Sequence, residues 1–238
     1  MRLEQLFEQL NHFMDGSTVS DYRAVISVLL DILMIFSRND LKSGLLKELD
    51  RQSKMLNQIA NSQGVDTEKL DEILDDLKSI STKLYATNGK IGLNVMESDL
   101  FQSISQRSSI PGGTCSFDLP AFHYWLEQDK AIQQQDLLQW TKPLADIRTA
   151  INLILGFIRQ SSMPTQELAV AGFFQLALDK MQSFQLLRVA IDSSLPVFAE
   201  ISGGKHRFTI RFMSPTTDGK RPHQIPDDVS FALTRCVF

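Results

Sequence analysis

The apolar residues of this chain recur every three or four positions up to Pro164 and largely at every second position after it. That change of period constrains the fold more than any single motif. Recurrence near 3.6 lines one face of a helix, and recurrence at two lines one face of a strand. Before the change, Leu3, Leu6, Phe7 and Leu10 predict a helix over 2–13. Val25, Val28, Leu29, Leu33 and Phe36 predict a second over about 21–37, with Ser20-Asp21 placed to cap it. Asp40 is placed to cap a third, with Leu41, Leu45, Leu49, Leu56 and Ile59 inward, and Leu70, Ile73, Leu77, Ile80 and Leu84 line a fourth. The short loop between these two, holding Gly64 and Asp66, predicts an antiparallel hairpin. Its seam is suited to packing within the chain or against a second copy. Asn88-Gly89 breaks the pattern, a short helix covers 97–107, and another takes in Leu119–Leu126. A longer helix over 135–160 is kinked or started by Pro143.

After Pro164, HRFTIRFM (206–213) sends Phe208, Ile210 and Phe212 one way and Arg207, Thr209 and Arg211 the other. The segments 183–191, 196–201 and 229–238 share its strand composition, with turns at Asp192-Ser193-Ser194 and Gly203-Gly204. Short turns imply an antiparallel sheet with one wet face. The predicted fold is α+β: an N-terminal helical domain with long antiparallel helix pairs over 1–164, suited to dimerisation, and a smaller antiparallel β-sheet domain over 165–238 with a basic face.

Composition narrows the function. At 238 residues and 43% hydrophobic content, the chain builds its core without disulfides or metal. Two cysteines, Cys115 and Cys236, suit a reducing compartment. The longest apolar runs, such as VLLDILMIF with Asp31 inside it, are too short to span a membrane. The N-terminus MRLEQLFEQL carries charge where a signal peptide needs apolar residues, so the expected location is cytoplasmic. The net charge of −4 argues against nucleic acid as the main partner. Yet Lys205, Arg207, Arg211, Lys220 and Arg221 crowd a segment with one carboxylate, Asp218, which points to an acidic partner met at a defined place.

Catalytic readings are weak. Cys115 and Asp118 of SIPGGTCSFDLP (109–120) lie with the following His123 within nine residues, whereas triad members normally come from separate elements. The stretch reads instead as a turn at Pro111-Gly112-Gly113, a small buried cysteine, and Asp118 capping a helix with Pro120 in its first turn. Gly203-Gly204-Lys205 lacks the context of a phosphate loop and reads as a hairpin turn. His12, His123, His206 and His223 are scattered without metal-ligand spacing, and no cofactor motif occurs. The stronger signal is Lys205, Arg207 and Arg211 on one side of a strand, the two arginines ~13 Å apart. Such a face is either an ordinary solvated surface or a dock for an acidic or mixed peptide.

Three stretches, LLKELDRQ (45–52), SIPGGTCSFDLPAFHYWL (109–126) and ISGGKHRFTIRFM (201–213), together resemble the ZapD family of bacterial cell-division proteins, and the likeness extends over nearly the whole chain. The resemblance implies a non-enzymatic cytoplasmic homodimer without cofactor. Such a protein acts in septation at mid-cell, where it binds the C-terminal tail of FtsZ and bundles FtsZ filaments in Z-ring assembly. It also implies partner-binding roles for Arg2, Arg38, Arg207 and Arg211, with His123 and Lys205 as lesser members. Family members begin with a short strand before the first helix, whereas this chain opens inside that helix at Met1-Arg2, so a missing N-terminal strand is expected. Acidic residues at 97–99 and 227–228 depart from the family's more basic pattern and narrow the expected patch. The rival readings are a cysteine-dependent enzyme using Cys115 and His123, and nucleic-acid binding through the basic strand. The second is disfavoured by the lack of interleaved aromatics on that strand's face.

Overall fold

A computed structural model of the chain describes residues 1–38, 40–59, 67–87, 89–179, 184–204, 206–216 and 221–237. It divides into two compact units, Met1–Ile154 and Leu155–Phe238.

The first unit is helical. Helices α1 (Arg2–Met14) and α2 (Val19–Arg38) pack against each other across the turn 15–18. The α2 start differs from the Ser20-Asp21 cap suggested by sequence. Thr18 sits outside the helix, its Oγ1 accepts the Asp21 N–H at 3.1 Å, and Asp21 Oδ2 accepts the Thr18 N–H at 2.9 Å. This reciprocal pair is a capping box, so Asp21 is the third helical residue. Tyr22, Val25, Ile26, Leu29, Ile32 and Leu33 are buried to 1% exposure or less, which makes α2 the central core helix.

Helices α3 (Leu41–Ile59) and α4 (Thr67–Ala86) pack together as the repeats predict. Asp40 Oδ1 accepts the Ser43 N–H at 3.2 Å and so caps α3. Leu49, Leu77 and Leu84 are fully buried in this unit. Leu41, Leu45 and Leu56 are half-buried, while the side chain of Ile59 and the predicted loop around Gly64 and Asp66 lie outside the described residues. Asn88 also lies outside them. On α3, buried Gln52 donates to the Ile154 carbonyl at 3.4 Å.

Short helices α5 (Leu93–Met96), α6 (Asp99–Arg107) and α7 (Pro120–Leu126) lead to α8 (Lys130–Thr141) and α9 (Ala145–Gln160). The predicted 135–160 helix is two helices, separated by the 3₁₀ turn Lys142–Leu144 that holds Pro143. An aromatic cluster binds this region: Trp125 and Trp140 centroids are 5.2 Å apart, and Phe101 meets Trp140 edge-on at 5.0 Å. Trp125 Nε1–H donates to Asp136 at 2.9 Å, which satisfies the indole.

The second unit begins within α9 and is a sandwich of two antiparallel sheets rather than one sheet. Strands β1 (Thr165–Ala169), β7 (Val229–Val237) and β3 (Phe184–Ala190) form one in the order β1-β7-β3. Strands β2 (Phe173–Ala177), β5 (Arg207–Ser214) and β4 (Phe198–Gly203) form the other in the order β2-β5-β4, with β6 (His223–Gln224) also paired to β5. The core between them holds Phe208, Ile210 and Phe212 from one sheet and Val229, Phe231 and Leu233 from the other. Phe212 and Phe231 have centroids 5.1 Å apart.

Two turns carry the chain between sheets. Val170 bridges Phe173 across Ala171 and Gly172, which have φ of 49° and 68°, the geometry of a tight primed turn. Asp228 Oδ1 accepts the Ala171 N–H at 2.8 Å and pins it. The Asp192 turn joins β3 to β4 in the opposite sheet, so it closes no hairpin, unlike the Gly203-Gly204 turn between paired β4 and β5. Strand β2 escapes sequence reading because FFQLAL carries apolar residues on both faces, so only the structure shows that Phe174 and Leu176 face the core, and β1, with the sequence TQELA, has too few apolar residues to alternate.

Candidate functional site

The predicted alternation on β5 is realised. Phe208, Ile210 and Phe212 are fully buried, and Arg207 and Arg211 are exposed on the opposite face. Register decides what surrounds the arginines. Arg211 lies opposite Phe173 of β2 on one side and Glu200 of β4 on the other, while Arg207 lies opposite Ala177. Met213, on the same face, lies opposite Phe198. Opposed residues in an antiparallel pair project to the same side. Phe173 and Phe198, each 37% exposed, therefore flank the cationic strand. Aromatics are thus present on the face, contrary to the sequence reading, which followed one strand and could not see its neighbours. Lys205, Asp218 and Lys220 lie outside the described residues.

The other predicted residues belong to the helical unit. Arg2 opens α1 and Arg38 ends α2. Because α1 and α2 are packed across a short turn, both arginines sit toward the end of that pair away from the turn. Arg38 lines a cleft of about 450 Å³ floored by Phe36, Ile91 and Ile147 and rimmed by Asp40, Lys42 and Lys90. Lys42 Nζ donates to the Thr87 carbonyl at 2.6 Å, which holds that rim. Bonding to Ser43 keeps the Asp40 carboxyl below its ordinary range, so it stays ionised beside the cations. Lys90 went unnoticed in the sequence because its proximity to Arg38 depends on how the segment after α4 meets the α2–α3 junction, whereas Lys42 lies only four residues along the chain from Arg38.

The state of the guanidiniums separates two groups. Arg23 donates to the Thr114 carbonyl at 2.9 Å and lies over the Phe122 ring, Arg107 pairs with Asp118, and Arg148 donates to Asn11 Oδ1 at 2.6 Å. Arg51 is held by Glu48, whose hydrogen bond raises the guanidinium pKa further. By contrast, Arg2, Arg38, Arg207 and Arg211 have no side-chain hydrogen bond or ion pair among the described residues, a state they share with Arg221 and Arg235. Their donor forks remain available to a carboxylate.

The stretch 109–126 departs from its predicted roles. Cys115 is exposed, not buried, and its thiol lies 3.4 Å from Asp118 Oδ2. Asp118 does not cap α7: Leu119 occupies that position without a side-chain bond, and Pro120 takes the first turn as predicted. His123 is exposed on α7 with Nδ1 3.9 Å from Glu127 Oε1. The polar neighbour of Cys115 is therefore a carboxylate three residues on, and that of His123 is a glutamate one turn along the chain. Asp227 and Asp228 of the acidic departures precede β7, where Asp228 has the structural role described above. Among the described residues no helix is long and apolar enough to cross a membrane, and no group of three or more His, Cys, Asp and Glu is placed to hold a metal ion.

Comparison with known proteins places these features in a family. Residues 1–211 match the family model ZapD, described as a cell division protein. The chain is 46% identical over 237 residues to a cell division protein ZapD of Methylococcus capsulatus, covering 100% of this chain and 92% of that one. It is 37% identical over 238 residues to the ZapD protein of Chromobacterium violaceum, covering 100% and 94% respectively. The ZapD protein of Nitrosomonas europaea is 39% identical over 236 residues, covering 99% and 89%.

Proposed function

Given that the chain belongs to the ZapD family of cell-division proteins, we propose that it binds the C-terminal tail of the division protein FtsZ and cross-links FtsZ filaments. In this reading it works in the cytoplasm at the mid-cell division site as a two-fold homodimer. Each subunit presents the same cationic β5 face, so one dimer holds tails from two filaments, and bivalency makes weak single contacts effective. The family is described by a role in cell division rather than by a catalytic activity.

The observation that carries the proposal is the exposed β5 face, where Arg207 and Arg211 have no side-chain partner among the described residues; Arg2 and Arg38 are likewise without one, as are Arg221 and Arg235. An arginine already paired inside the protein must break that pair to bind a ligand, and these need not. A flexible tail with carboxylates would order on docking, with modest affinity and marked sensitivity to salt.

Co-sedimentation with FtsZ filaments tests the proposal. Pelleting is expected with full-length FtsZ and not with FtsZ lacking its tail, and Arg207→Glu combined with Arg211→Glu is expected to abolish it. Pelleting that survives tail deletion would overturn the assignment of the tail, and pelleting that survives the double substitution would overturn the assignment of the strand face.

A further inference from the structure

Among the described residues, the wet face of the β2-β5-β4 sheet is unusual in composition. A solvated sheet face normally carries short polar or charged residues, and here Gln175, Thr209 and Ser202 form one such row. The adjoining rows differ. Phe173 and Phe198 stand on either side of β5, about 12 Å apart by strand spacing and rise, with Arg211 and Met213 between them. Each phenylalanine is more than a third exposed while the other face of the sheet is buried. Apolar area left beside an unpartnered cation is suited to a ligand that carries both chemistries.

We infer that Phe173, Phe198 and Met213 form an apolar rim around Arg211 that reads the apolar side chains of an acidic peptide. The peptide is thus selected by residue type as well as by charge. This rests on the tail-binding reading given above and names what in the tail is recognised. An extended segment lying along β5 directs alternate side chains to the sheet at ~7 Å intervals. One apolar side chain then rests on Phe198 and Met213, a carboxylate two positions on meets Arg211, and a second carboxylate four positions further meets Arg207. Glu200, in the same row as Arg211, disfavours a polyphosphate, which cannot place neutral groups over it. That favours a peptide over single-stranded nucleic acid, although aromatic and arginine side chains together also suit base stacking.

The two contributions separate by salt. Charge pairing weakens as salt rises, whereas apolar contact does not. Fluorescence anisotropy of a labelled FtsZ-tail peptide, titrated at low and high salt, reads both. Phe173→Ser with Phe198→Ser is expected to weaken binding by about tenfold or more at both salts, with an unchanged salt slope. Arg211→Gln is expected to flatten the slope. A peptide whose apolar residues are replaced by serine, titrated against the unaltered protein, is expected to lose affinity to a similar extent and needs no variant to fold. If tail binding by the unaltered protein is strong but neither the serine variants nor the serine peptide weakens it, the inference falls while the tail-binding reading stands. If the unaltered protein binds no tail, both fall. If a single-stranded oligonucleotide binds as tightly as the tail, the face recognises nucleic acid and the inference is overturned.

Discussion

Glu200 and Arg211 stand opposite each other on β4 and β5, exposed on the same face, and no ion pair closes between them. A carboxylate held one strand away from a cation, yet not bonded to it, lowers the local positive potential without occupying the guanidinium. Glu200→Gln should therefore tighten binding of an acidic tail at low salt by about threefold, the effect of one unit charge at a cross-strand distance in water. At high salt the gain should vanish. Anisotropy titrations of the unaltered protein and the variant check both parts, and a gain that persists at high salt would mean that the substitution acts by some route other than charge.

The Thr18–Asp21 capping box predicts a specific acid sensitivity. Hydrogen bonds from Thr18 hold the Asp21 carboxyl below the ordinary value of 3.8. A carboxylate with a lowered folded pKa contributes stability above its unfolded value, and loses it as pH falls through the folded one. Thr18→Ala should cost about 1 kcal/mol at neutral pH, seen as a Tm lower by about 2–4 °C. The difference between the two proteins should shrink below pH about 4, as Asp21 in both becomes protonated. Calorimetry across that range checks it.

Gly172 is fixed by two constraints. Its φ is 68°, and a Cβ there would lie 2.6 Å from the Ile225 carbonyl oxygen. Gly172→Ala should destabilise the β unit by about 1–3 kcal/mol, measurable as a lower urea midpoint with the slope unchanged. Gly89 is also at positive φ, but the space into which a Cβ would project is open, so it should tolerate alanine better.

The two cysteines should label differently. Cys115 is exposed and Cys236 is fully buried, and burial pushes the Cys236 thiol above its ordinary range despite the opposing influence of Arg188 and Arg159. Iodoacetamide should modify one thiol in the native protein and the second only after denaturation, which peptide mass mapping resolves. Because exposure alone admits the reagent, labelling of Cys115 does not by itself signal catalysis. A functional thiol would also have to react faster than free cysteine.

The helical elements were legible in the sequence because their signals are local. Leu70, Leu77, Ile80 and Leu84 all turned inward, and Asp40 and Pro120 fell where cap and first-turn chemistry place them. Arg207 and Arg211 were likewise readable as one exposed face, since two-residue alternation fixes which side chains share a side of a strand. Signals that compete locally misled. Asp118 and Thr18 both precede helices, and only the latter caps, because α7 starts at Pro120 with Leu119 in the cap position, which leaves Asp118 one residue too early.

What the sequence determined by itself was therefore the kind of element at each place and the side of it that faces inward: helix before Pro164, strand after it, and a cationic face on β5. What only the tertiary structure decided was the company each element keeps. β1 pairs with β7 from the opposite end of the second unit's sequence, β3 and β4 lie in different sheets, and Phe173 and Phe198 come to border Arg211 from strands on either side. Periodicity is set by backbone geometry within a few residues, but strand order and register follow from burying both sheet faces in one core, and that depends on the whole chain at once.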